Sequence, residues 1–210
     1  MITLRKRVGL VALAAVMLFT LFPLFTQQPV YAEGTETLTK ASDIADRVYT
    51  GKFITPKPVV KVKGKTLKRG RDYTVSYKNN KNVGTATVTI KGKGDYTGTI
   101  RKTFRILPQK TRLTAAIPGS VFIMVQWDPV NQKMAKRRIT GYQFQIATNK
   151  SFTKGKRTFA VKGYQNSLLK CSGLTKNTSY FVRVRTYMKI GKKIYYSAWS
   201  KPKTVTTFQI

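Results

Sequence analysis

The chain contains no histidine. The side chain most often used as general base and as metal ligand is therefore missing. With a single cysteine, Cys171, neither an internal disulfide nor a thiolate zinc site can form. Carboxylates are scarce as well: 7 Asp and Glu stand against 40 Lys and Arg, a formal net charge of +33 over 210 residues. The acids are scattered. Asp72 and Asp95 sit among turn residues and Asp128 lies between Trp127 and Pro129, so no acid–base pair of the glycosidase kind is set up. No phosphate loop ending in Lys-Ser/Thr occurs, and GKGDYTG reads as a hairpin turn. Cys171 occupies an inward strand position and reads as a small buried hydrophobe. These absences argue against an enzyme and imply neither cofactor nor metal.

What is present is positive charge. It suits a soluble surface and attracts anionic polymers in a salt-sensitive way. The partners it suggests are an anionic cell-wall polymer or an extracellular protein or glycan, with nucleic acid a lesser candidate. Residues 45–107 carry 16 basic and 3 acidic side chains, and residues 108–210 carry 20 and 1. Charge spread over both halves fits diffuse attraction better than one groove.

Long apolar runs are missing except at the start. Arg5, Lys6 and Arg7 precede an apolar stretch from Val8 to Phe25, and Val30 and Ala32 place small residues before a cut. This pattern predicts a secretory signal peptide over residues 1–32, cleaved after Ala32. A retained membrane anchor is the competing reading, since the run approaches the ~20 residues needed to span. No second such run follows, so no membrane span is expected once the signal is removed.

Beyond it, residues 33–44 read as a linker. Period-two alternation then dominates, which predicts an all-β chain: two consecutive Ig-like antiparallel β-sandwich domains, 45–107 and 108–210. In the first, Val60 and Val62 open a strand. Tyr73, Val75 and Tyr77 alternate up to an Asn-rich turn, and Ala86, Val88 and Ile90 alternate away from it. Ile100, Phe104 and Ile106 form a last strand. Lys102 falls on their face, which predicts a strand edge or a bulge there. In the second unit the expected core is Trp127, Tyr142, Cys171, Leu174, Tyr180, Val182 and Val184.

The motifs of residues 45–107 are Tyr49 and Gly51; Gly70, Asp72 and Tyr73; Gly84, Ala86, Val88 and Ile90; and Gly92, Gly94, Tyr96 and Gly98. They resemble a repeat of extracellular proteins of Gram-positive bacteria, which implies a small Ig-like sandwich serving as spacer or binding module. In the second unit Trp127, Gly141-Tyr142, Gly173-Leu174, Tyr180-x-Val182-x-Val184 and the closing residues Ser197 to Thr207 resemble a fibronectin type III domain. An insertion, NQKMAKRRIT, adds Lys136, Arg137 and Arg138 before Gly141.

The stretch RVRTYMKIGKKIYYSAWS, from Arg183 to Ser200, reads as the last hairpin, turning at Gly191. Arg183 and Arg185 should face outward. On the return, Ile194, Tyr196 and Ala198 should share one face, and Lys193, Tyr195 and Trp199 the other. Ser-Ala-Trp-Ser resembles half of the Trp-Ser-x-Trp-Ser element of cytokine-receptor fibronectin domains, where arginines stack between indoles. Only one tryptophan stands here. The expectation is that Trp199 stacks on Arg183 or Arg185. The candidate surface binding residues are Arg183, Arg185, Tyr195, Trp199, Lys136, Arg137 and Arg138.

The functional expectation is a secreted, cell-wall-associated, non-catalytic binding or adhesion module. The alternatives are a carbohydrate-binding accessory protein, using aromatics such as Tyr164, Tyr187, Tyr195 or Trp199, and a passive spacer.

Overall fold

The computed structural model describes residues 36–130 and 139–210. The expected signal peptide therefore lies outside the described residues. Regular structure among those described is all strand.

The first sandwich begins earlier than expected. β1 (Glu36–Thr37) pairs in parallel with β8 (Tyr96–Thr97), and β2 (Lys40–Ala41) pairs with β4 (Val60–Val62). Leu38 and Ala41 are buried in its core. Residues 36–41, read as linker, are thus part of the fold. Two-residue strands are too short to display a periodicity, and only the burial of Leu38 and Ala41 marks them.

One sheet contains β2, β4 and β5 (Lys65–Thr66). The other is ordered β3 (Arg47–Val48), β9 (Thr99–Leu107), β7 (Gly84–Gly92), β6 (Tyr73–Lys78). Ala86, Val88 and Ile90 are fully buried between the sheets, as the alternation requires. Lys102 stays in register with Val88, so there is no bulge. The expected edge is present: β3 flanks β9 only at Ile106 and Leu107, and Lys102 reaches out to Asp43 at 2.7 Å.

Asp72 holds the entry to β6. Its carboxylate accepts from the Lys68 N–H at 2.7 Å and from Arg71 Nε at 2.6 Å. The Arg71 bond, then the Lys68 bond, lower its pKa to about 2. A depressed carboxylate adds stability above its unfolded pKa and loses it as pH falls through the folded value. Asp72→Asn should therefore melt lower than wild type at neutral pH, with the gap closing between about pH 4 and pH 2. A gap independent of pH, followed by circular dichroism, would assign the loss to shape rather than charge.

The second sandwich packs β10 (Leu113–Pro118), β11 (Phe122–Trp127) and β14 (Leu168–Ser172) against a five-stranded sheet. That sheet contains β12 (Gly141–Ala147), β13 (Arg157–Lys162), β15 (Ser179–Ile190), β16 (Lys193–Tyr196) and β17 (Lys203–Thr206). Trp127, Tyr142, Cys171, Leu174, Tyr180, Val182 and Val184 all lie in its core. The Trp127 ring tilts against Phe144 at 4.4 Å and Tyr142 at 5.1 Å. The Tyr180 hydroxyl accepts from the Thr175 N–H at 3.0 Å, pinning the turn after Leu174. Burial pushes the Cys171 thiol up to about 11, which leaves it unreactive.

The two sandwiches share a built junction. β12 covers β15 only as far as Tyr187. Beyond that point β15 and β16 form a two-stranded arm with no second sheet of their own to pack on. One face of the arm packs on the first sandwich: Tyr195 is buried in its core and Met188 lies partly buried against it. The Tyr195 hydroxyl is 3.0 Å from Thr85 Oγ1. The connector residue Gln109 donates to the Tyr49 carbonyl at 3.2 Å and accepts from Thr186 Oγ1 at 2.6 Å, so it is tied to both sides.

Candidate functional site

The site grows out of the alternation of β15. Tyr180, Val182, Val184 and Thr186 point into the core, which turns Arg183 and Arg185 to the outer face. Across the ladder stand Gln145 and Gln143 of β12. Gln145 Oε1 accepts from Arg183 Nε and Nη2 at 2.9 and 2.6 Å, and Gln143 Oε1 accepts from Arg185 Nε at 2.8 Å. Each guanidinium is thereby held with its flat faces free for rings.

The returning chain supplies one ring. Tyr187 faces Tyr196, whereas Val182 faces Lys203: five steps along β15 are matched by seven on the return. Two residues are therefore looped out between β16 and β17. Ser197 and Ser200 hold this irregular segment. The Ser197 and Ser200 hydroxyls accept from the N–H groups of Thr186 and Val184, and the serine N–H groups donate to the carbonyls of those same two residues. The phase of alternation shifts, and Trp199 swings onto the face that carries Tyr196.

The result is a five-membered stack: Phe152, Arg183, Trp199, Arg185, Tyr196. The Arg183 guanidinium carbon is 3.9 Å from the Phe152 ring and 4.5 Å from Trp199, and that of Arg185 is 4.2 Å from Trp199 and 3.6 Å from Tyr196. Each arginine lies between two rings, a geometry that strengthens cation–π attraction by removing water. Burial lowers the pKa of both arginines from the ordinary value. Phe152 has φ +57°, a strained value for a bulky residue. The Asn149 side chain fixes that turn by accepting from the Thr153 and Lys154 N–H groups at 3.0 Å each.

Trp199 also walls a pocket of about 570 Å³ shared with Lys110, Arg112, Lys201 and Lys203. Arg112 pairs with Asp128 at 2.7 Å. The three lysines have no carboxylate partner among the described residues. Three unpaired lysines beside an indole suit a phosphate, sulfate or carboxylate group.

The expected candidates divide. Arg183, Arg185 and Trp199 come together, and the stacking expectation is met twice over. Tyr195 is a correction: it is 8% exposed, at the junction. Tyr195 shares its face with Lys193, as alternation requires, but the surface that covers it belongs to the other sandwich. Tyr196 is a second correction, since the looped-out residues bring Trp199 onto its face. Lys136, Arg137 and Arg138 lie outside the described residues. Phe152, Tyr196, Gln143 and Gln145 were not foreseen. The two glutamines had a signal: they alternate with buried Tyr142, Phe144 and Ile146 and so must share the outer face of β12. Phe152 had none, because a turn residue far along the chain carries no register.

No family model and no curated protein matches the chain. The solved structures it resembles include fibronectin type III domains. The third fibronectin III domain of human KIAA0343 protein is 22% identical, with 49% of this chain and 82% of that one covered and a TM-score of 0.37. The chicken CNTN1 FN1-FN3 structure is 16% identical over 84% of this chain and 68% of that one, with a TM-score of 0.41. A structure titled "Myokine structure" is 16% identical over 49% and 99%, with a TM-score of 0.38. The fold of this chain is established by its own strand order and register.

Proposed function

We propose that this protein is a secreted, non-catalytic module held at the cell surface by attraction between its cationic faces and anionic wall polymers. The observation that carries this reading is the imbalance of charge around the stack. The second sandwich has a single carboxylate, Asp128, and it pairs with one cation, Arg112. The leader-like N-terminus supports secretion. The first sandwich serves as spacer and second cationic surface, in keeping with the extracellular repeat its motifs resemble. The carbohydrate reading based on Tyr187 and Tyr195 loses support, because both rings are buried.

A salt wash of cells bearing the protein tests this. Release should rise steeply between about 0.15 and 1 M salt, where the screening length falls from ~8 to ~3 Å. Full retention at ~1 M salt would overturn the electrostatic reading.

A further inference from the structure

The junction between the sandwiches leaves a cleft of about 410 Å³. Its lining comes from three segments: the loop carrying Phe53, the turn between β6 and β7, and the arm formed by β15 and β16. Clefts of this size at domain junctions are where small ligands usually bind.

The lining chemistry is specific. Phe53 is 69% exposed and Ile190 43% exposed, a large outlay of apolar surface for a chain this charged. Asn80 braces the Phe53 loop: its Nδ2 donates to the Ile54 carbonyl at 3.0 Å, and its own carbonyl accepts from the Ile54 N–H at 2.8 Å. The ring is therefore presented by a fixed loop. Lys81 Nζ lies 5.2 Å from that ring. The carboxamides of Asn79 and Asn82 make no hydrogen bond among the described residues, and Lys193 makes no ion pair there. No carboxylate lines the cleft.

We infer that this cleft binds one sugar ring carrying an anionic group, phosphate or carboxylate. The C–H face of a sugar packs on Phe53 and Ile190. Its hydroxyls need partners that both donate and accept, which the amides of Asn79 and Asn82 supply. The anionic group is met by Lys81 and Lys193, one from each sandwich, so the site is complete only when the sandwiches are docked. The inference rests on the surface-retention reading: the cleft grips a unit of the polymer that the wider charge attracts.

Calorimetric titration of the protein with an oligogalacturonate of four units, and separately with glucose 6-phosphate, tests it and distinguishes the two anionic groups. Saturable binding of at least one probe is expected, with neutral maltotetraose weaker. Lys81→Gln/Lys193→Gln should weaken binding about tenfold or more, the loss expected for at least one charge-assisted contact, and Phe53→Ala about tenfold through the apolar packing it removes. A charge-matched control, Lys57→Gln/Lys176→Gln, should stay near wild type, since neither residue lines the cleft. Melting curves check that each variant folds. Equal weakening by the cleft and control pairs would overturn the inference, as would failure of both probes to bind. Equally tight binding of a tetranucleotide through Phe53 would overturn its sugar specificity. If isolated cell walls bind wild type and cleft variants alike, only the cleft assignment falls. If walls do not bind wild type at all, the surface-retention reading falls too.

Discussion

Replacing Trp199 with alanine should destabilise the second sandwich by about 2–3 kcal/mol, less than a fully buried indole costs but well above a surface change. The indole lies between two guanidiniums, 4.5 Å from Arg183 and 4.2 Å from Arg185. Its removal strips one face from each, and neither charge gains a carboxylate in exchange. Desolvated cation–π contacts are worth up to ~2 kcal/mol each, and part of that is recovered when water enters. Arg185→Lys should cost about 1 kcal/mol, because an ammonium can neither stack flat between Trp199 and Tyr196 nor reproduce the in-plane Nε bond to Gln143. The decisive measurement is a double-mutant cycle in urea between Arg185→Met and Trp199→Ala. A coupling near zero would make the stack a coincidence of packing.

Tyr195→Ala should cost about 3 kcal/mol and change the shape of unfolding. Its ring fills the core of the first sandwich while its backbone belongs to the second. Truncation opens a cavity at the junction and leaves Thr85 without its partner. The wild type should unfold in one transition, because neither sandwich can loosen without exposing the shared ring. The alanine variant should show two. Tyr195→Phe keeps the ring, loses only the hydrogen bond, and should cost about 1 kcal/mol with one transition retained. A single transition in both variants would mean that Gln109 and its bonds to both sides are enough to couple the sandwiches.

These two residues lie four positions apart in one hairpin, and they mark how far the sequence could be read. Arg183 and Arg185 were legible as outward and Val182 and Val184 as inward, since a strand buried on one face must alternate. Trp199 was legible as a partner for the arginines through its Ser-Ala-Trp-Ser setting. Its sharing of a face with Tyr196 was not, because residues looped out between paired strands break the parity on which such readings depend.

From its amino acids alone this chain declared an all-β class, the inward residues of its longer strands, and a surface of one sign. Each of these follows from local rules: a pleat with period two, turn residues that tolerate left-handed backbone, and charges too costly to bury. What required the folded molecule was everything that depends on separate segments meeting. Phe152 completes the stack from a distant turn, Glu36–Thr37 and Lys40–Ala41 join two different sheets in strands too short to show a pattern, and Tyr195 leaves its own sandwich for the core of its neighbour. Contacts between segments depend on how whole sheets twist and dock, and no window of sequence carries that information.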